Sequence, residues 1–121
     1  MQSTVQFTGL VRGTEAASRA FSPEPGLTRR ILAYDAKLMI VEHRMERGWV
    51  GARHSHPHEQ AVYVVSGRLH FTLGVESFEI SGGDSLIVEG GVEHEARALE
   101  PSVVVDVFTP AREDYVGATD E

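Results

Sequence analysis

Cysteine is missing from all 121 residues. That excludes a disulfide scaffold and any thiolate metal site, so coordination here must use nitrogen and oxygen donors. Basic residues are scarce: 11 Lys and Arg stand against 18 Asp and Glu, a formal charge of −7. Such a balance opposes nucleic-acid and anionic-membrane partners, neither of which is expected, and any positive feature must be local. No apolar run reaches membrane-spanning length, and the opening MQSTVQFTGLVRG lacks a charged start followed by an apolar core. A soluble, cytoplasmic protein is the expectation. The length suits one domain with a real core rather than two independent ones.

Sustained helical periodicity is also lacking. The body of the chain instead holds short runs of period-two or continuous apolar character: RRILAY, AKLMIVEHRM, AVYVVSG, RLHFTLG, SFEI, DSLIVE, EHEARAL and SVVVDVF. Glycine-bearing breaks such as RGWVGA, SGGD and EGGV separate them. Many short strands with regularly spaced turns predict an all-β sandwich or barrel. AASRAFSPEPGLTRR, with two prolines and a glycine, reads as an irregular lead-in, and REDYVGATDE as a tail that frays or forms a short turn. The domain reading is therefore a lead-in over 1–28, a barrel over 29–112 and a tail over 113–121.

Histidine, by contrast, is concentrated. Three of the six fall in HSHPHEQ, residues 54 to 60. In an extended chain His54 and His56 point to the same side, close enough for both imidazoles to reach one cation. Gln60 shares their parity, and its amide oxygen can turn to the same point past Pro57. His94 follows GGDSLIVEGGV, a strand and glycine turn that would return the chain antiparallel to the first site strand. The alternative for His54 and His56 is a pair of solvent-exposed polar residues on one strand face. His58 reads as a neighbour of the site or a strand-exterior residue, His43 and His70 as ordinary strand residues, and Glu59 as facing away. Trp49 and Tyr63 read either as pocket walls or as surface contacts.

These residues resemble the two motifs of the small single-domain cupins. Gly48, His54, His56, Gln60 and Gly67 match the spacing of the first motif, with glutamine in place of its carboxylate. Gly83, Gly91 and His94 match the second, where Glu89 replaces a proline and Ala98 an asparagine. The resemblance implies a double-stranded β-helix, or jelly-roll barrel, with a metal in its mouth. Four neutral donors would leave the ion its full charge of about +2. Nickel, zinc, manganese, iron and copper all suit nitrogen and oxygen ligation, and the ligand set does not choose among them.

HSHPHEQ and DVFTPARED further resemble the pectin-degradation cupins, which linearise 4,5-unsaturated uronates. The resemblance places Asp106, Phe108 and Arg112 in the pocket. Asp106 would be a general acid or base, Phe108 would touch the substrate, and Arg112 would hold its carboxylate. Phe108 also reads as plain core packing, and Arg112 as a surface arginine paired with Glu113 or Asp114. An acid in the otherwise apolar run VVVDVF asks for a role. The implied activity is a metal-dependent reaction on a small anionic sugar derivative. A non-enzymatic metabolite-binding cupin and a cupin dioxygenase are the alternatives. A homodimer is expected, because an open sandwich leaves edge strands to cover and the lead-in is long enough to serve as an arm.

Overall fold

A computed structural model describes residues 9–118 of the chain. These form ten strands and one short helix: β1 (Ala20–Glu24), β2 (Leu27–Tyr34), β3 (Met39–Met45), β4 (Val50–His54), β5 (Glu59–Ser66), β6 (Arg68–Leu73), β7 (Glu76–Ser81), β8 (Ser85–Val88), β9 (His94–Ala98), β10 (Ser102–Thr109) and α1 (Glu113–Ala118). The strands pair antiparallel in two sheets, ordered β1-β2-β3-β10-β5-β8 and β4-β9-β6-β7. β10 lies between β3 and β5, and β9 between β4 and β6, so the chain crosses repeatedly from one sheet to the other. This is the expected jelly-roll barrel.

Period-two alternation determines which side chains face inward. Along β3 the buried positions are Met39, Val41, His43 and Met45, and along β10 they are Ser102, Val104, Asp106 and Phe108. β2 follows the same rule, its residues Leu27, Arg29 and Ile31 lying opposite Met45, His43 and Val41. A polar layer therefore interrupts an apolar interior. On one side of it lies the main core, which includes Leu27, Met45, Val62, Val64, Leu69, Phe71 and Val104. On the other lies a smaller cluster of Met39, Val41, Phe108 and Ala111, against which Ile31, Tyr34, Tyr115 and Val116 pack.

Three expectations change. The expected lead-in over 1–28 becomes strand from Ala20 onward, so the barrel begins before residue 29. The reason is turn chemistry. Pro25 and Gly26 form the connection of a hairpin, with Gly26 at φ +81° as a Pro-Gly turn requires. Pro23 lies on an edge strand that pairs only with β2, where a missing N–H is tolerated. Residues 1–8 of the expected dimer arm lie outside the described residues. The tail over 113–121 forms α1 as far as Ala118, with Glu113 and Asp114 in its first turn, where acids are favoured, and Tyr115 and Val116 on the smaller cluster. Finally, β4 starts inside the expected break RGWVGA. Gly51 continues that strand because a side chain there would collide with the Trp49 ring, its Cβ falling 2.5 Å from Cη2.

The glycines that carry the two motifs, Gly48, Gly67, Gly83 and Gly91, all have positive φ. Gly67 is the most constrained: at φ +96°, a Cβ would lie 2.5 Å from the Pro101 carbonyl oxygen and overlap the Ser102 hydroxyl. Gly74, at φ +63°, has open space around it. Gly67→Ala should therefore lose about 2–5 kcal/mol, from backbone strain and overpacking together, while Gly74→Ala loses about 1–2 kcal/mol from strain alone. Urea denaturation of the two variants beside the parent measures the difference. Equal losses would mean that the contact with Pro101 and Ser102 does not constrain this turn.

Candidate metal centre and its pocket

The motif histidines come from three places in the chain. β4 ends at His54, His56 lies just beyond it, and β9 begins at His94, directly opposite His54 in the ladder. This is the antiparallel return that the sequence predicts. The Gly91 N–H, presented by a positive-φ turn, donates to the His56 carbonyl at 2.8 Å and ties the His94 loop to the His56 segment. One ring nitrogen from each of His54, His56 and His94 lies within 4.8 Å of the others.

The tautomers follow from the partners. In each ring Nδ1 contacts a backbone carbonyl: Ala52 for His54 (2.9 Å), His58 for His56 (3.1 Å) and Val92 for His94 (3.0 Å). A carbonyl only accepts, so each Nδ1 carries the proton and each Nε2 keeps its lone pair for another partner. Burial holds His94 below the ordinary imidazole value, and burial followed by the charge of Arg112 does the same for His56. Both are neutral near pH 7, the form that binds a cation.

Gln60 approaches the same point from β5. Its Oε1 lies 3.0 Å from His56 Nε2, two acceptors face to face. That approach is repulsive unless a cation lies between them, and donors sharing an ion at about 2.1 Å sit roughly 3–3.5 Å apart. The amide orientation is not arbitrary, because Gln60 Nε2 donates to Asp106 Oδ1 at 2.8 Å and a carboxylate cannot donate back. The residues present fit a nitrogen- and oxygen-ligated metal ion.

Behind Gln60 the network continues. His43 Nδ1 bonds Asp106 Oδ2 at 2.7 Å, and Arg29 Nε donates to His43 Nε2 at 2.9 Å. Arginine has no acceptor, so His43 Nε2 must accept and Nδ1–H must donate to Asp106. His43, read from sequence as an ordinary strand residue, is thus a buried partner of Asp106. Both Arg29 and His43 were legible by the signal that singles out Asp106: each is a polar residue at an inward parity whose neighbours on either side, Leu27 and Ile31 or Val41 and Met45, are apolar.

The remaining candidates separate clearly. Phe108 is fully buried and packs edge-on to His56 and Tyr115. Arg112 is buried, not on the surface, yet it pairs with Asp114 through Nε (3.1 Å) and Nη2 (2.9 Å). Its guanidinium stacks on Phe108 and Tyr115, at 5.0 and 4.2 Å from their ring centroids. Burial opposes ionisation of Asp114, but the Arg112 fork outweighs it and holds the carboxyl below its usual range. Trp49 lines the pocket and donates to Glu24 Oε2 at 2.7 Å, whereas Tyr63 is half exposed on the outer sheet face. Glu59 faces away, as expected, and accepts from the Gly90 N–H. His54, His56, Gln60, His94, Asp106, Phe108 and Arg112 all border one cavity of about 430 Å³, together with Arg29, His43 and Tyr115. That size is ordinary for a small-molecule pocket.

Comparison with known proteins agrees with this architecture. The family model described as Cupin domain matches residues 41–108. The chain is 30% identical over 93 residues to the pectin degradation protein KdgF of Dickeya dadantii, covering 75% of this chain and 84% of that one. The structure of KdgF from Halomonas sp. superposes with a TM-score of 0.81 at 37% identity, over 86% of this chain and 98% of that one. An RmlC-like cupin from Shewanella frigidimarina superposes with a TM-score of 0.82 at 30% identity, over 95% and 99%.

The donor geometry predicts one transition-metal ion per chain in protein purified without a histidine tag, and its loss in the His54→Ala, His56→Ala double variant. Elemental analysis checks both. Because His56 and His94 titrate below the ordinary value of about 6.5, protons should compete for the site only in acid. Zinc affinity should therefore change little on the alkaline side of neutrality and fall on acidification, as measured by competition with a chromophoric chelator. A steady fall starting near pH 8 would contradict the lowered values.

Proposed function

This chain belongs to the cupin family, and on that premise we propose that it is a metal-dependent enzyme that opens a 4,5-unsaturated uronate to its linear keto form. The observation that carries the reading is Asp106, a buried carboxylate held between His43 and Gln60, immediately behind a candidate donor set of three imidazoles and one amide. The likeness to two KdgF proteins, one of them named for pectin degradation, supports the substrate class.

The chemistry needs little more than a well-placed proton carrier. Ring opening of the cyclic hemiacetal removes a proton from the anomeric hydroxyl, breaks the C1–O5 bond and leaves an enol at C5. That enol becomes a ketone when its own proton leaves and one arrives at C4, so the product is an isomer of the substrate. One group that accepts and then releases a proton therefore suffices, and Asp106 has that role in this reading. Each of its oxygens accepts one hydrogen bond and retains a second lone pair. His43 and Gln60 fix the carboxylate plane, so no reorientation is needed between the two transfers. Phe108, Tyr115 and Trp49 wall the cavity and limit water near the ring.

One divalent transition-metal ion, of nickel, zinc, manganese, iron or copper, would be held by His54, His56, Gln60 and His94. When bound it supplies Lewis acidity toward substrate oxygens.

With 4,5-unsaturated galacturonate as substrate, loss of the ring double-bond absorbance reports turnover against a protein-free blank. Asp106→Asn should lower kcat by roughly 10²-fold or more, with the metal stoichiometry intact because the three imidazoles remain. No acceleration by the parent loaded with zinc, nickel, manganese or iron would remove the uronate reading in favour of a binding protein. A fully active Asp106→Asn would remove only the assigned proton carrier.

Gln60→Glu makes a second test. The new carboxylate should hold metal more tightly, yet it loses the donor to Asp106 and sets two acids at the 2.8 Å now spanned by a hydrogen bond. One of them would then retain a proton. Tighter metal retention with slower turnover is expected. A variant that holds metal no better and turns over as fast as the parent would contradict this account of the ligand charge.

A further inference from the structure

The polar layer contains two guanidiniums, and their hydrogen bonding differs. Arg112 has Nε and Nη2 engaged by Asp114, so the fork that would grip a carboxylate side-on already holds one. Arg29 has only Nε engaged, by His43. Its Nη1 and Nη2 have no hydrogen-bond or ion-pair partner among the described residues, and neither is sealed from solvent. The Arg29 side chain borders the cavity, and its guanidinium carbon lies over the Tyr115 ring, 3.6 Å from the centroid. Three contacts therefore orient the group, the bond to His43, the Tyr115 ring and the more distant Phe21 ring at 5.9 Å, while the paired Nη edge is left over.

We propose that Arg29 is the anchor for the substrate's carboxylate, which would lie end-on across Nη1 and Nη2. The assignment rests on the uronate reading for the identity of the substrate and on the hydrogen bonds of Arg29 and Arg112 for the choice between the two. A planar fork with two parallel donors matches a carboxylate bidentately, and a cation held in a partly dry pocket gains more from such a pair than an exposed one. The position suits the reaction. In a 4,5-unsaturated uronate the carboxyl is on C5, next to C4, where the proton must arrive, and Arg29 is separated from Asp106 by a single imidazole. Gripping the carboxylate at Arg29 would therefore set C4 on the Asp106 side of the ring. Arg112 then has a different role, bracing with Asp114 the walls against which the substrate would lie, Phe108 and Tyr115.

Trp49 is the chain's one tryptophan and borders the same cavity, so its fluorescence reports occupancy. Zinc-loaded protein is titrated with D-galacturonate, which has no double bond to react, and with D-galactose, which has a hydroxymethyl group in place of the carboxylate. The parent should prefer galacturonate. Arg29→Met should weaken galacturonate binding by about 10- to 100-fold, the loss expected for a charge-assisted pair, and change galactose binding by less than about threefold. Arg29→Lys, which keeps the charge without the fork, should fall between them, and it is the decisive variant if Arg29→Met does not fold or take up zinc as the parent does. In turnover of 4,5-unsaturated galacturonate, KM should rise by the same factor as the binding constant. Undiminished preference for galacturonate in both variants would overturn the assignment, as would a parent that does not distinguish the two sugars. Turnover by the parent with an unchanged KM in Arg29→Met would overturn the anchor and leave the reaction standing. Arg29-dependent galacturonate binding without turnover would leave the anchor standing and end the reaction proposal.

Discussion

A guanidinium has N–H donors and no acceptor, and that one-sidedness sets the polarity of everything between Arg29 and the candidate metal centre. Because Arg29 donates to His43 Nε2, His43 must donate from Nδ1 to Asp106. Because Asp106 accepts on both oxygens, Gln60 must present its NH2 to the acid and its carbonyl oxygen to the histidines. Each link allows one arrangement only. The three motif histidines are fixed separately, each by a carbonyl on Nδ1, and the two systems meet where Gln60 Oε1 faces His56 Nε2. The result is a set of lone pairs converging on one point, an arrangement that could hold a cation.

Such a network survives inside a β-sandwich only because it lies between two apolar clusters and has nearly all its polar atoms paired. His43 and Asp106 occupy inward positions that would otherwise hold residues like the valines and methionines beside them. An apolar layer there would be the safer choice for stability, since buried polar groups give back little when paired and penalise the fold heavily when unpaired. The proposed function would account for their presence there. The clusters on either side keep the layer rigid: the main core holds β2, β3, β5 and β10 in register, and the smaller one seats α1 so that Tyr115 can lie under Arg29 and beside Phe108.

Charge in the cavity is balanced group by group. The protein is acidic overall, at −7, and the cavity lining holds Arg29 and Arg112 together with Glu24, Glu95, Asp106 and Asp114, around a candidate donor set that would add no negative charge to a bound ion. Asp114 offsets Arg112, and Asp106 is matched by neutral donors rather than by a cation of its own. Any attraction for a small anion would therefore come from the unpaired Nη edge of Arg29 rather than from the net charge of the lining, while the acidic surface repels large polyanions.

What the sequence determined by itself was the class of fold and the convergence of three motif histidines on one point. Alternation of apolar residues identifies strands because a pleated chain shows its two faces in turn, and the glycine and histidine spacings of the two motifs survive as positive-φ turns and converging imidazoles. Parity also marks Asp106, and the same reasoning extended to Arg29 and His43 finds them; isolated polar residues in AKLMIVEHRM and GLTRRILAY look ordinary only while each run is taken strand by strand. The tertiary structure alone decided which strands lie side by side, and with that the partners of each polar group. Arg29, His43, Asp106 and Gln60 belong to four strands, β2, β3, β10 and β5, adjacent in that order in the sheet although β10 comes last in the chain. It also turned a proline-rich lead-in into an edge hairpin and a polar tail into a helix that supplies Tyr115, and it gave Arg112 to Asp114. Spacing along a chain constrains only near neighbours, whereas a hydrogen-bond network is a property of which distant segments the folded sheets bring into contact.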